Sequence, residues 1–119
     1  MSPDPAAIPT TSLKLHTYAW EEAQVVRCSG RLTAEHSEAL KTHVRSVIPT
    51  TKRIILDLKE TDRMDSSGLG AIVAIYISAR KGNCEFLLIN YNKSIKDLLG
   101  LTNLLSVFET CAQTGTRIP

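Results

Sequence analysis

Seven consecutive residues, Met64-Asp65-Ser66-Ser67-Gly68-Leu69-Gly70, bring a carboxylate, two hydroxyls and two glycines together where a buried strand and loop give way to a helix. Asp65 or Ser66 can cap that helix by accepting hydrogen bonds from its free backbone N–H groups. Ser67 then falls in the first turn, at the positive end of the helix dipole, where a phosphate on its hydroxyl is tolerated. Gly68 and Gly70 remove side chains around it, so the backbone of another protein could approach closely. Each glycine costs about 1 kcal/mol in helix propensity, which argues for a role beyond local stability. The same tetrapeptide also makes a plain helix cap followed by close helix–sheet packing. The residues alone leave both readings open.

Other chemistries fit less well. A hydrolytic serine in a nucleophile elbow needs glycine two residues before it, and Met64 and Asp65 occupy those positions ahead of Ser66 and Ser67. The chain has no Gly-x-x-x-x-Gly-Lys phosphate loop. His36 and His43 lie seven residues apart on one predicted helix, too far for joint ligation of a metal, and His16 stands elsewhere. No catalytic residue, metal or cofactor is expected. Cys28, Cys84 and Cys111 are odd in number and lack metal-like spacing. Cys28 and Cys84 read as small buried residues in strands, and the absence of a disulfide framework fits a reducing cytoplasm.

The elements that must position the turn follow from periodicity. Residues 1–11 carry Pro3, Pro5 and Pro9 and read as a mobile tail. Ser12 to Ala19 alternates as a half-buried strand, Trp20-Glu21-Glu22 turns, and Ala23 to Ser29 returns as an antiparallel partner ended by Gly30. Trp20 and Tyr18 at the hairpin tip are either a contact surface or a packed edge. A helix runs from Thr33 or Ala34 to about Ile48, with Leu40, Val44, Val47 and Ile48 inward, and Pro49-Thr50-Thr51 stops it. Arg53 to Leu58 is a continuous apolar run, as in strands buried on both faces, and Asp62 to Asp65 read as a loop.

Ser67 to Lys81 is a deeply packed helix closed by Gly82-Asn83. Glu85 to Ile89 is a fourth strand, Lys93 to Leu99 a short helix stopped by Gly100, and Leu104 to Glu109 a weaker fifth strand. Alternating strands and helices predict right-handed parallel crossovers. The fold class is therefore α/β, a small mixed and mostly parallel sheet of four or five strands with packed helices. Turns at the C-terminal ends of such strands are where ligands and partners gather.

Composition narrows the partners. The chain has 119 residues, 43% of them hydrophobic and 22% charged, which fits one soluble domain. Its formal net charge is only +2 and no basic run exists, so direct nucleic-acid binding is not expected. The longest apolar stretch, Leu69 to Ile77, is too short to span a bilayer, and the N-terminus lacks a signal-peptide pattern. A cytosolic protein is expected, with any membrane role arising through a partner.

The segment Met64 to Gly70 resembles the signature of STAS domains, in particular the bacterial anti-sigma factor antagonists. Other pieces fall in matching order. Val25-Val26-Arg27-Cys28-Ser29-Gly30-Arg31-Leu32 resembles the family's strand ending in a Gly-x-Leu turn. Ile54-Ile55-Leu56-Asp57-Leu58 resembles its central strand, and Asn92 to Phe108 its late helix and last strand. The resemblance runs over about Leu13 to Glu109 and implies a domain over 12–110, with a C-terminal tail at 111–119.

It also implies a mechanism. An unphosphorylated antagonist binds an anti-sigma factor that is also a serine kinase. The kinase phosphorylates the second serine of the turn, which is Ser67; phosphorylation blocks rebinding, and a separate serine phosphatase resets the switch. Asp65, Ser66, Gly68, Leu69, Gly70 and Arg31 would form the switch loop and partner surface. The chain departs from the family at Arg31 and Thr33, where many relatives are acidic, and at Cys111 to Pro119, which lacks the apolar pattern of the family's last helix. Arg31 would make the patch more positive and could hold a phosphate through paired hydrogen bonds. The alternatives are an accessory subunit of a lipid or solute transporter, or a phosphate- or nucleotide-binding module.

Overall fold

The structure, a computed structural model, describes residues 13–104. The hairpin forms as its pattern predicts. Strand β1 (Lys14–Trp20) pairs antiparallel with β2 (Ala23–Leu32), from Lys14 opposite Ser29 to Trp20 opposite Ala23. Glu21 makes the tight turn with φ of 56°. Helix α1 (Ala34–Val47) follows and ends in a 3-10 turn at Ile48–Thr50, where Pro49 cannot donate the next helical hydrogen bond. Strand β3 (Arg53–Met64), helix α2 (Ser66–Lys81), strand β4 (Glu85–Ile89) and helix α3 (Lys93–Leu101) complete the described chain. The sheet order is β1-β2-β3-β4, with β2, β3 and β4 parallel. The mixed, mostly parallel α/β sheet is thus the expected one. The fifth strand expected at Leu104 to Glu109, and both tails, lie outside the described residues.

The apolar run in the centre of β3 is buried on both faces. Ile54, Leu56 and Leu58 pack with Leu40, Val44, Ile72, Ile75, Ile95 and Leu99 in a core between the sheet and the helices. Ile55, on the opposite face, joins Ala23, Val25 and Leu87 in a second buried cluster. Tyr18 and Trp20 are half-buried against that second cluster, so the hairpin tip is a packed edge. Cys28 and Cys84 are both free and buried, as their apolar surroundings predict.

Three boundaries differ from the expectation, and two of them reshape the site. Gly30 does not end β2. The strand continues to Leu32 through irregularities between Arg27 and Ser29 and between Gly30 and Arg31. Gly30 stands at the second irregularity with a φ of 112°, a conformation that a side chain would oppose. Likewise Asp62 to Met64 are not a loop. They extend β3, where Arg63 pairs with Arg31 and Met64 with Leu32. Their polar, non-alternating sequence hides a strand that exists because β2 offers it a parallel edge. Finally, α3 passes through Gly100 to Leu101, and the left-handed residue is Asn103, with φ of 62°.

Candidate functional site

The extended ends of β2 and β3 form the floor of the turn. Asp65 follows Met64 directly and is the N-cap of α2, its Oδ1 accepting the Gly68 N–H at 3.0 Å. Its second oxygen, Oδ2, accepts the Ala34 N–H at 3.3 Å. One carboxylate therefore serves the N-termini of both α2 and α1. Thr33, the N-cap of α1, makes no side-chain cap hydrogen bond, and Asp65 stands in for it through space. Sequence offers two cap candidates at the turn; the structure selects Asp65 and leaves Ser66 as the first helical residue. The Asp65 N–H in turn donates to the Leu32 carbonyl at 3.4 Å, which ties the turn to the end of β2.

Gly68 has a reason of its own. A Cβ built on it would lie 2.2 Å from the Leu32 carbonyl oxygen and 2.9 Å from Met64 Cγ. Its missing side chain lets α2 settle onto the strand ends, so the close approach expected there is made within this chain. Leu69 is buried at 6% exposure and serves the core. Gly70 is the opposite case: it is exposed, and a Cβ there would meet nothing within 4 Å. Ser66 and Ser67 are both exposed in the first turn. Neither hydroxyl makes a hydrogen bond or meets a histidine among the described residues. The turn thus presents Ser66, Ser67 and Gly70 outward and holds Asp65, Gly68 and Leu69 inward. Arg31 is exposed at the end of β2, one residue before the floor of the turn.

Two further residues, Arg63 and Asn92, stand beside the site, and a third, Asp57, is a buried charge of the central strand; none of them reads as a site residue from sequence. Arg63 lies opposite Arg31, but only the extended strand register makes them neighbours. Asn92 caps α3 by accepting the Ile95 N–H at 2.9 Å and donates to the Thr61 carbonyl at 3.2 Å, tying α3 to β3 near the turn. Asp57 is fully buried in β3. It accepts from Arg27 Nε at 3.0 Å, from the Lys59 N–H at 2.9 Å and from Asn90 Nδ2 at 3.1 Å. Hydrogen bonding to Asp57, and then its charge, hold the Arg27 guanidinium above its ordinary pKa. A carboxylate inside an otherwise apolar run was the legible signal, because a buried charge needs such partners.

The turn offers two exposed hydroxyls, and among the described residues neither has a hydrogen-bond partner. Of the histidines, His43 Nε2 is engaged with Thr17 Oγ1 at 2.6 Å. No group of three or more metal-ligating side chains occurs among the described residues. Burial pushes the Cys28 thiol up to about 12 and raises Cys84 as well, so neither supplies a thiolate nucleophile near neutrality. No helix among the described residues is long and apolar enough to cross a membrane.

Comparison with known proteins places this geometry. A family model described as the STAS domain matches residues 16–116. An anti-sigma factor antagonist from Mycobacterium paratuberculosis superposes with a TM-score of 0.74 at 21% identity, over 82% of this chain and 84% of that one. The Bacillus cell fate determinant SpoIIAA in its phosphorylated form gives a TM-score of 0.63 at 19% identity, over 82% and 87%. A sulfate transporter family protein from Wolinella succinogenes gives 0.66 at 16% identity, over 76% and 75%. At these identities the superpositions establish a shared fold.

Proposed function

We propose that this chain, which belongs to the STAS domain family, is an anti-sigma factor antagonist that acts in the cytoplasm by partner switching. The observation that carries this reading is Ser67: an exposed hydroxyl without a hydrogen bond among the described residues, in the first turn of a helix whose cap and floor are fixed by Asp65, Gly68 and Leu32. Structural likeness to antagonists, one of them solved in a phosphorylated form, supports it.

Unphosphorylated, the face of Ser66, Ser67 and Gly70 docks on an anti-sigma factor that is also a serine kinase. The kinase moves the γ-phosphoryl group of ATP to Ser67 Oγ. The bond from phosphorus to Oγ forms, the bond from that phosphorus to the bridging oxygen of ADP breaks, and the hydroxyl proton passes to a base of the kinase. The product carries a charge of about −1.5 to −2 where the partner had met a neutral hydroxyl. A like or unpaired charge desolvated in an interface costs several kcal/mol, and each ~1.4 kcal/mol is tenfold in affinity, so one phosphate ends binding. A serine phosphatase restores the hydroxyl. The domain performs no catalysis in this scheme and needs no cofactor.

The test is incubation with the cognate kinase and ATP, followed by mapping of the phosphate by mass spectrometry. Wild type and Ser66→Ala accept one phosphate at Ser67, and Ser67→Ala accepts none. Phosphate on Ser66 alone would identify the other serine as the switch. The second reading, an accessory subunit of a transporter, draws on the likeness to the sulfate transporter family protein. Co-purification from the native host separates the two: a small ATP-binding kinase supports the first and transporter components the second.

A further inference from the structure

We propose that Arg31 and Arg63 together grip the phosphoryl group once it is on Ser67, an inference that rests on the reading of Ser67 as the phosphorylated residue. The two arginines are paired in the parallel register of β2 and β3. Both are exposed, and neither makes a hydrogen bond or ion pair among the described residues. Like charges placed opposite one another across a sheet repel, so the pair as it stands opposes the strand ends that carry it. A dianion between the two guanidinium groups turns that repulsion into attraction.

The next residues along each strand, Leu32 and Met64, are the floor on which the first turn of α2 rests, at Gly68. The arginine stems therefore start one residue from the surface that supports Ser67. Successive side chains of a strand alternate in direction, so the stems leave the sheet on the face opposite Leu32 and Met64, and the proposed grip requires them to turn over its C-terminal edge toward Ser67. Guanidinium groups, with planar forks of donors, suit phosphate oxygens.

The acids nearby do not neutralise the pair. Asp65 is committed to the two helix N-termini. Asp62 and Glu60 are exposed on β3 and form no ion pair with either arginine. The consequence is a switch with two parts. The phosphate repels the docked partner and, at the same time, consumes the positive patch beside it.

The experiment uses the full chain with phosphoserine encoded at position 67 and follows the phosphate by phosphorus NMR as pH is changed. An unperturbed phosphoserine loses its last proton near pH ~6. Opposite charges in contact lower such a value by about one pH unit or more. The wild type therefore titrates below ~6 by about that much. Arg31→Ala and Arg63→Ala each move the midpoint back up, and the double variant removes the part that is not due to the helix N-terminus. Arg31→Lys keeps charge but loses the fork, and falls between wild type and Arg31→Ala. Arg53→Ala, whose arginine is paired with Glu85 at 2.7 Å at the start of β3, leaves the titration unchanged. Equal midpoints for wild type and the double variant, with matched urea denaturation, would overturn the proposal. Because no kinase is used, that outcome leaves the assignment of Ser67 standing; a kinase that ignores Ser67 sinks the assignment alone.

Discussion

Replacing Gly68 by alanine drives a methyl group to within 2.2 Å of the Leu32 carbonyl oxygen and 2.9 Å of Met64 Cγ. The first neighbour is backbone, so no rotamer change relieves it. Either α2 lifts from β2 or the strand end moves, and both strain the hydrogen bond from the Asp65 N–H to that same carbonyl. Overpacking of this kind costs about 1–3 kcal/mol, and the backbone contact puts Gly68→Ala at or beyond the upper end. The gain in helix propensity returns about 1 kcal/mol. The net loss is about 2 kcal/mol.

Gly70→Ala, two residues along the same helix, provides the contrast. Its Cβ meets nothing within 4 Å, so only propensity acts and the protein gains up to about 1 kcal/mol. Urea denaturation measures both. With a slope of about 1–3 kcal/mol per molar, Gly68→Ala lowers the midpoint by roughly 1 M while Gly70→Ala raises it. If Gly68→Ala is as stable as wild type, or if both alanines shift the midpoint the same way, the account of the turn's floor is wrong.

Asp65→Ala removes the cap of α2 and the surrogate cap of α1 together. It costs about 1–2 kcal/mol, and hydrogen exchange speeds up at both Gly68 and Ala34, while Ser66→Ala leaves both amides protected. Arg27→Ala strands the buried Asp57 carboxylate with only its Lys59 and Asn90 contacts. It destabilises by about 3 kcal/mol in urea titrations, whereas a variant that also carries Asp57→Asn recovers part of the loss. The Cys28 thiol ionises at about 12 in the folded protein against 9.0 in the unfolded reference, so its contribution is complete below pH ~9 and is lost as pH rises towards 12. The decline in stability across that window is shallower in Cys28→Ala, and thiol reagents at pH ~8 label Cys28 only as fast as the chain unfolds.

Much of this was legible because local and global preferences agree. The alternation of Leu13 to Tyr18, the buried run at Ile54 to Leu58 and the inward face of α1 led to the observed elements. The boundaries that failed share a cause. Asp62 and Arg63 are charged and exposed, and nothing in their own sequence asks for a strand; the parallel edge of Gly30 to Leu32 recruits them. Gly30 reads as the end of its strand, whereas its positive φ lies within a strand that continues to Leu32. The same cause kept Arg63 from being seen beside Arg31. Gly68 stands out in the sequence as a place for another protein's backbone to approach, yet the surface that needs its missing side chain is Leu32 of this chain, a contact that spans 36 residues of sequence and leaves no local trace.

In the proposed switch, a phosphate at Ser67 turns binding off. The direct measurement is titration calorimetry of one anti-sigma factor against three forms of the full chain: wild type, Ser67→Ala, and the protein with phosphoserine at 67. Wild type and Ser67→Ala should bind alike, and the phosphorylated form at least about a hundredfold more weakly, the equivalent of ~2.7 kcal/mol. Equal affinity for all three would contradict the switch.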